Sequence, residues 1–201
     1  MPALPRSQLL SFLDLDKAIL EVQSGWSSGP KNYRRGLRLA LLDTLTDQAK
    51  FPGLEIPPMN AAALSDLSAP PQLLGYSISI SHCPIAGGFL VSPIKGGQVG
   101  LDLEERSKVT REIVLRMSDE MEVLLAPEPA VLWSAKEATF KSLLGPSQPT
   151  ALSQVKIGGW FNLGLHIWGF QAQIQGVNSN PILGVSHAHD NLVVGIAKFT
   201  A

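Results

Sequence analysis

The strictest pattern in the chain is a two-residue alternation that occurs twice. Tyr76, Ile78 and Ile80 alternate with Ser77, Ser79 and Ser81, and Val99, Leu101 and Leu103 alternate with Gly100, Asp102 and Glu104. A period of two sends successive side chains to opposite faces of a strand, and no helix buries such a set. Between them, residues 88–91 form a short apolar run, with turn residues Pro84, Gly87, Gly96 and Gly97 on either side. The spacing predicts a β-meander over 76–103.

Helical patterns fall in blocks outside these strands. Pro30 suits the first turn of a helix running to about Lys50, with Leu37, Leu41, Leu42 and Leu45 on its apolar face. Further helices are predicted over 109–116, then from Ser118 as cap with Asp119 and Glu120 in the first turn, then over 129–144 with Gly145-Pro146 as the stop. Strands follow over 155–160, 165–173 and 191–199, with Trp160, Phe161, Trp168 and Phe170 expected in the core. Nearer the start, Leu15, Ile19 and Val22 share a helical face, which predicts a short helix over 14–22; the Pro- and Ala-rich 51–71 reads as an irregular connection. Helix, strands, helices, strands is the order of an α+β fold, not of alternating βαβ units. Ile80-Ser81-His82, a turn and an apolar run are echoed by Val185-Ser186-His187, a turn and Leu192-Val193-Val194. The echo suggests two related halves, 1–97 and 98–201.

Composition narrows the function classes. The chain's 201 residues, 45% of them hydrophobic, can bury a core without disulfides or metal. A net charge of −1 argues against a whole-surface nucleic-acid binder. The lone Cys83 excludes an internal disulfide framework, suits a reducing compartment and reads as a small packed residue. The apolar run 9–13 is broken by Asp14 and Asp16, too short for a signal-peptide core or a membrane span. The expectation is a soluble, cytoplasmic protein with no membrane partner.

Two segments carry candidate chemistry. Asp102 and Glu104 share one strand face, opposite Val99, Leu101 and Leu103. Neighbouring carboxylates repel unless a cation holds them, and their oxygens suit Mg²⁺ beside a phosphate; a solvated strand face is the plainer alternative. Trp133, Glu137 and Lys141 are spaced i, i+4, i+8 on the last predicted helix and so share a face. That spacing gives either an exposed ion pair or a third carboxylate with a lysine near a phosphate. His187 and His189 have too few further ligands for zinc, and no glycine-rich phosphate loop is present.

Together, Gly100-Leu101-Asp102-Leu103-Glu104 and Trp133-Ser134-Ala135-Lys136-Glu137-Ala138-Thr139-Phe140-Lys141 resemble, in order, the two signatures of the 4′-phosphopantetheinyl transferases. Ile80-Ser81-His82 resembles the Ser-His segment of the longer, surfactin-synthetase-activating type. The resemblance spans about residues 30–200. It implies a pseudo-twofold fold of two α+β halves, monomeric as a pseudo-dimer, with one site at the seam. The chain departs from the pattern where Ala69-Pro70-Pro71-Gln72-Leu73 stands for the usual Gly-Lys-Pro, where Cys83 replaces a serine, and in a shorter stretch between Asp102 and Trp133.

The resemblance also implies the roles. Phosphopantetheine passes from coenzyme A to a serine of an apo acyl or peptidyl carrier protein. Asp102, Glu104 and Glu137 would hold Mg²⁺. Glu137, Lys141 and His82 would be catalytic, with either Glu137 or a water on the metal taking the serine proton. Lys31, Arg34, Arg35, Ser81, His82, Lys136 and Lys141 would contact coenzyme A, the basic cluster at the start of the first long helix facing its 3′-phosphate. Arg106, Lys108 and Arg111 would dock the acidic carrier. The rivals are a non-catalytic relative that binds coenzyme A or a carrier, and a metal-dependent phosphoesterase.

Overall fold

The computed structural model describes residues 4–26, 33–47, 49–51, 58–67, 70–143, 148–177 and 180–200. The expectations placed on Pro30, Lys31, Ala69 and Gly145-Pro146 lie outside these residues. The order is α1 (Arg6–Phe12), β1 (Ile19–Gln23), α2 (Tyr33–Thr46), α3 (Pro58–Ser65), β2 (Tyr76–Cys83), β3 (Ala86–Pro93), β4 (Gln98–Glu105), α4 (Arg111–Val114), α5 (Glu120–Leu125), α6 (Pro129–Ser142), β5 (Val155–Gly164), β6 (Ile167–Ile174), β7 (Ile182–His189) and β8 (Leu192–Phe199). The class is α+β, with two antiparallel sheets ordered β1-β3-β2 and β4-β8-β7-β6-β5. Among the described residues no helix is long and apolar enough to cross a membrane.

The expected meander breaks after its first hairpin. β2 and β3 pair from Tyr76↔Pro93 to Cys83↔Ala86, but β4 leaves to pair with β8, from Gln98↔Phe199 to Glu105↔Leu192. β4 still runs beside β2, joined through side chains. The Oγ atoms of Ser77, Ser79 and Ser81 accept the main-chain N–H groups of Val99, Leu101 and Leu103 at 2.9, 2.8 and 3.1 Å. An unpaired buried N–H is costly, and here three hydroxyls replace the carbonyls of a neighbouring strand. The alternating serines therefore line a buried seam and are not a wet face.

Three apolar clusters surround the seam. Leu37, Leu41 and Leu45 of α2 pack on Ile78, Phe89 and Val91. Leu132, Ala135 and Ala138 of α6 pack on Phe170, Ala172 and Ala197. Leu9 and Leu10 of α1 and Leu13 just after it join Val99, Leu101 and Leu103 with Leu20 and Leu90. α6 lies close on the second sheet because two strand positions lack side chains. A Cβ at Gly100 would collide with the Ala138 carbonyl, and one at Gly195 would stand 2.7 Å from the Ser134 carbonyl. This contact places the Glu137–Lys141 stretch over Asp102 and Glu104.

Several local expectations are corrected. Residues 14–22 hold no helix; β1 begins at Ile19, where pairing with β3 overrides the helical spacing and buries Leu20 and Val22. α3 lies inside the stretch expected to be irregular. The helix expected over 109–116 contracts to α4, capped by Thr110. Asp119, not Ser118, caps α5, in a capping box with Glu122. β7 had been visible only as the Ser-His echo. Phe170 is fully buried, whereas Phe161 is 38% exposed and leans on Phe12 with ring centroids 5.5 Å apart.

Candidate active site

The seam between β2 and β4 ends in a three-body contact. Asp102 is 2% exposed. Its Oδ1 accepts from Lys141 Nζ at 2.6 Å and from Ser81 Oγ at 3.1 Å. Lys141 also donates to Ser81 Oγ at 3.2 Å. The Oδ2 atom of Asp102 is buried without a hydrogen-bond partner among the described residues. One serine thus ties β2, β4 and α6 together, since its hydroxyl also takes the Leu103 N–H.

The other acids flank this contact. Trp133 Nε1 donates to Glu104 Oε1 at 3.1 Å. Burial and the nearby Asp102 push the Glu104 pKa up to about 7, against the opposing pull of Trp133 and Lys141. Glu137 lies 4.0 Å from Lys141 and is also raised, by burial first and Asp102 second. For Lys141, burial alone would favour the neutral amine; Asp102, Glu137 and Glu104 outweigh it and raise its pKa. Trp133, Glu137 and Lys141 share one face of α6, as their spacing predicts, but Lys141 binds most closely across elements.

Beside these groups a cleft of about 480 Å³ opens between α2, β2 and α6, lined by Arg34, Arg38, Ile78, His82, Phe140 and Lys141 among others. Tyr33 sits edge-on to His82, its hydroxyl 3.1 Å from Nε2, and accepts from Arg34 Nε at 2.9 Å. Burial lowers the His82 pKa, and the Arg34 and Lys141 charges lower it further. Arg38 belongs to the basic cluster expected at the start of the first long helix and lines the cleft, whereas Tyr33 did not figure among the expected site residues. Arg38 does fall one helical turn after Arg34 on the amphipathic pattern, whereas Tyr33 has no local signal.

Not every expected residue comes to the cleft. Arg35 is exposed and does not line it. The coenzyme A contact expected of Lys136 is overturned: the residue has zero exposure and turns into the core. Its Nζ pairs with Glu122 at 2.8 Å and donates to the Val155 carbonyl, and burial lowers its pKa. The physical reason is helical geometry, since the position before Glu137 points about 100° away from it. Arg106 is held by Glu128, to which its Nε donates at 2.8 Å, while Lys108 and Arg111 are exposed. Cys83 is buried with its thiol pushed up by burial. His187 is held neutral by burial, its pKa lowered to about 4. It lines a separate cleft of about 340 Å³ whose walls include the aliphatic Leu4, Val22, Ile85, Leu192 and Val194.

Among the described residues no three His, Cys, Asp or Glu side chains are gathered closely enough to hold a metal ion. The ammonium of Lys141 stands against Asp102 instead. The donor chemistry still fits a hard divalent cation: three carboxylates face one lysine, and a buried carboxylate oxygen has no partner. No protein-family model and no curated protein matches the chain.

Proposed function

We propose that the chain transfers the 4′-phosphopantetheine group of coenzyme A to a serine of an apo carrier protein. The observation that carries this reading is the Ser81–Asp102–Lys141 contact, which joins the three segments that resemble the transferase signatures. The sheets ordered β1-β3-β2 and β4-β8-β7, each with a long helix (α2 and α6), are read as two related halves, with β5–β6 added at one edge.

The reaction forms a bond between the carrier serine oxygen and the β-phosphorus. It breaks the bond from that phosphorus to the bridging oxygen, whose electron pair leaves with adenosine 3′,5′-bisphosphate. Arg34, Arg38 and Lys141 give the cleft a cationic lining for the phosphates, so the enzyme's main work is positioning and charge neutralisation. Glu137 stands at the rim, has a raised affinity for protons and takes the proton of the attacking serine. Mg²⁺, when bound, supplies charge neutralisation on the pyrophosphate, with Asp102, Glu104 and Glu137 as its holders.

Incubation with coenzyme A, Mg²⁺ and an apo carrier, followed by mass spectrometry, tests the reading. The carrier gains one phosphopantetheine. The rival reading of a non-catalytic binder rests on the departure from the signature pattern, where Ala69-Pro70-Pro71-Gln72-Leu73 stands for Gly-Lys-Pro. Coenzyme A binding with no carrier gain would select it, and hydrolysis of coenzyme A without a carrier would select a phosphoesterase.

A further inference from the structure

The hydroxyl of Tyr33 has two polar neighbours among the described residues, Arg34 Nε at 2.9 Å and His82 Nε2 at 3.1 Å. A guanidinium has only donors, so the phenol oxygen meets Arg34 with a lone pair. Its own proton then needs an acceptor, and neutral imidazole offers one acceptor nitrogen. A proton on Nε2 would set two N–H groups against one phenol oxygen and turn the phenol proton out to solvent from a half-buried side chain.

We infer that Tyr33 is a positioning residue whose O–H donates to His82 Nε2, holding the ring as the neutral Nδ1–H tautomer at the mouth of the cleft. The ring contact supports this, since the two centroids lie 4.5 Å apart at 76°, which fixes the imidazole plane against the phenol edge. Charge supports it as well. Burial, Arg34 and Lys141 oppose the imidazolium more strongly than Asp102 and the His82 main chain favour it.

The tautomer decides which atom of His82 recognises a ligand. With Nε2 accepting from Tyr33, any hydrogen bond from His82 to a phosphate oxygen comes from Nδ1. The role in coenzyme A recognition rests on the function proposed above; the tautomer of the free protein does not.

Nitrogen-15 spectra of the histidine side chains in the full ligand-free chain, near pH 8, read the tautomer directly, with His82 assigned by comparison with His82→Gln. The unsubstituted protein shows a protonated Nδ1 and an unprotonated Nε2. Tyr33→Phe moves His82 toward the Nε2–H form. An Nε2–H state in the unsubstituted protein overturns the inference and requires no variant to fold. An unchanged Nδ1–H state in folded Tyr33→Phe overturns it as well. Titration with coenzyme A then shows binding weakened about fivefold by Tyr33→Phe, with no further loss in a His82→Ala background. Additive losses would overturn the coupling of the two residues. Failure of the unsubstituted protein to bind coenzyme A, with the Nδ1–H spectrum intact, would overturn the proposed function and leave the Tyr33 assignment standing.

Discussion

Lys141 Nζ lies 2.6 Å from Asp102 on β4, closer than the 4.0 Å to Glu137 one turn back on its own helix. Local spacing alone would give an exposed helical pair worth about 0.3–0.5 kcal/mol. The cross-element pair leaves Glu104 and Glu137 half-buried with Lys141 held mainly by Asp102. Burial raises the proton affinity of both, Asp102 adds to each, and Glu137 adds to that of Glu104.

Glu104 should therefore make stability fall with rising pH. Its folded pKa of about 7 lies above its unfolded value, so between the two the folded state binds more protons. Stability is fullest below the unfolded value and is lost as pH climbs through 7. Glu104→Gln removes the loss. It should raise the melting temperature at pH 8, by about 1–3 kcal/mol of stability after allowance for partial exposure, and change little at pH 5. Thermal melts at the two pH values check this, and equal shifts would be wrong for a raised carboxylate.

If the proposed function holds, Asp102→Asn and Glu137→Gln should each lower carrier modification on the order of 100-fold or more, because each removes a carboxylate that would hold the Mg²⁺ on which neutralisation of the pyrophosphate depends. Circular dichroism should show both folded. Near-unsubstituted turnover at saturating Mg²⁺ in both variants would remove the three-acid site.

Charge reversal at Lys108 and Arg111 should raise the apparent KM for an acidic carrier, most at low salt, with the coenzyme A constant unchanged. Arg106 is left out because Glu128 already offsets its charge. Steady-state kinetics at two ionic strengths, with each substrate varied in turn, measure the effect. An unchanged carrier constant would move docking off this surface.

Lys136→Met should lower stability by about 3 kcal/mol, since it takes the buried ammonium from Glu122 and leaves it Lys156 and the main-chain N–H groups of Ile157 and Asp119 as partners. Adding Glu122→Gln should recover part of the loss. Coenzyme A affinity of the folded variant should change less than twofold. Urea melts and calorimetric titration separate the two effects.

The elements that build the candidate site were largely legible because their periodicity is local. β4 shows a clean period of two and α6 a clean i, i+4, i+8 face, so Asp102 pairs with Glu104, and Glu137 with Lys141, from spacing alone, while the joining of the two pairs was implied by the resemblance. What failed depended on contacts distant in sequence. β1 looked helical until its pairing with β3 was known. The serines of β2 showed their alternation but not the N–H groups of β4 that they accept. The contact that the resemblance implied for Lys136 fails because adjacent helical positions diverge. Tyr33 meets His82 across 49 positions of sequence, and nothing around either residue announces the other.

The hydroxyl seam gives the two sheets a mechanical character that a main-chain ladder would not. In a continuous sheet, neighbouring strands share rigid peptide planes, and tilting one breaks a row of bonds together. Ser77, Ser79 and Ser81 instead join the sheets through three separate side-chain hydroxyls, each held in the rotamer that reaches its amide. Ser81 and His82 ride on one side of this joint, and Asp102 and Glu104 on the other. The placement of Ser81 and His82 against Asp102 and Glu104 is thereby set by side-chain hydroxyls and not by a main-chain ladder, so a single Ser→Ala change in this row strands one buried amide while leaving both sheets' own ladders intact.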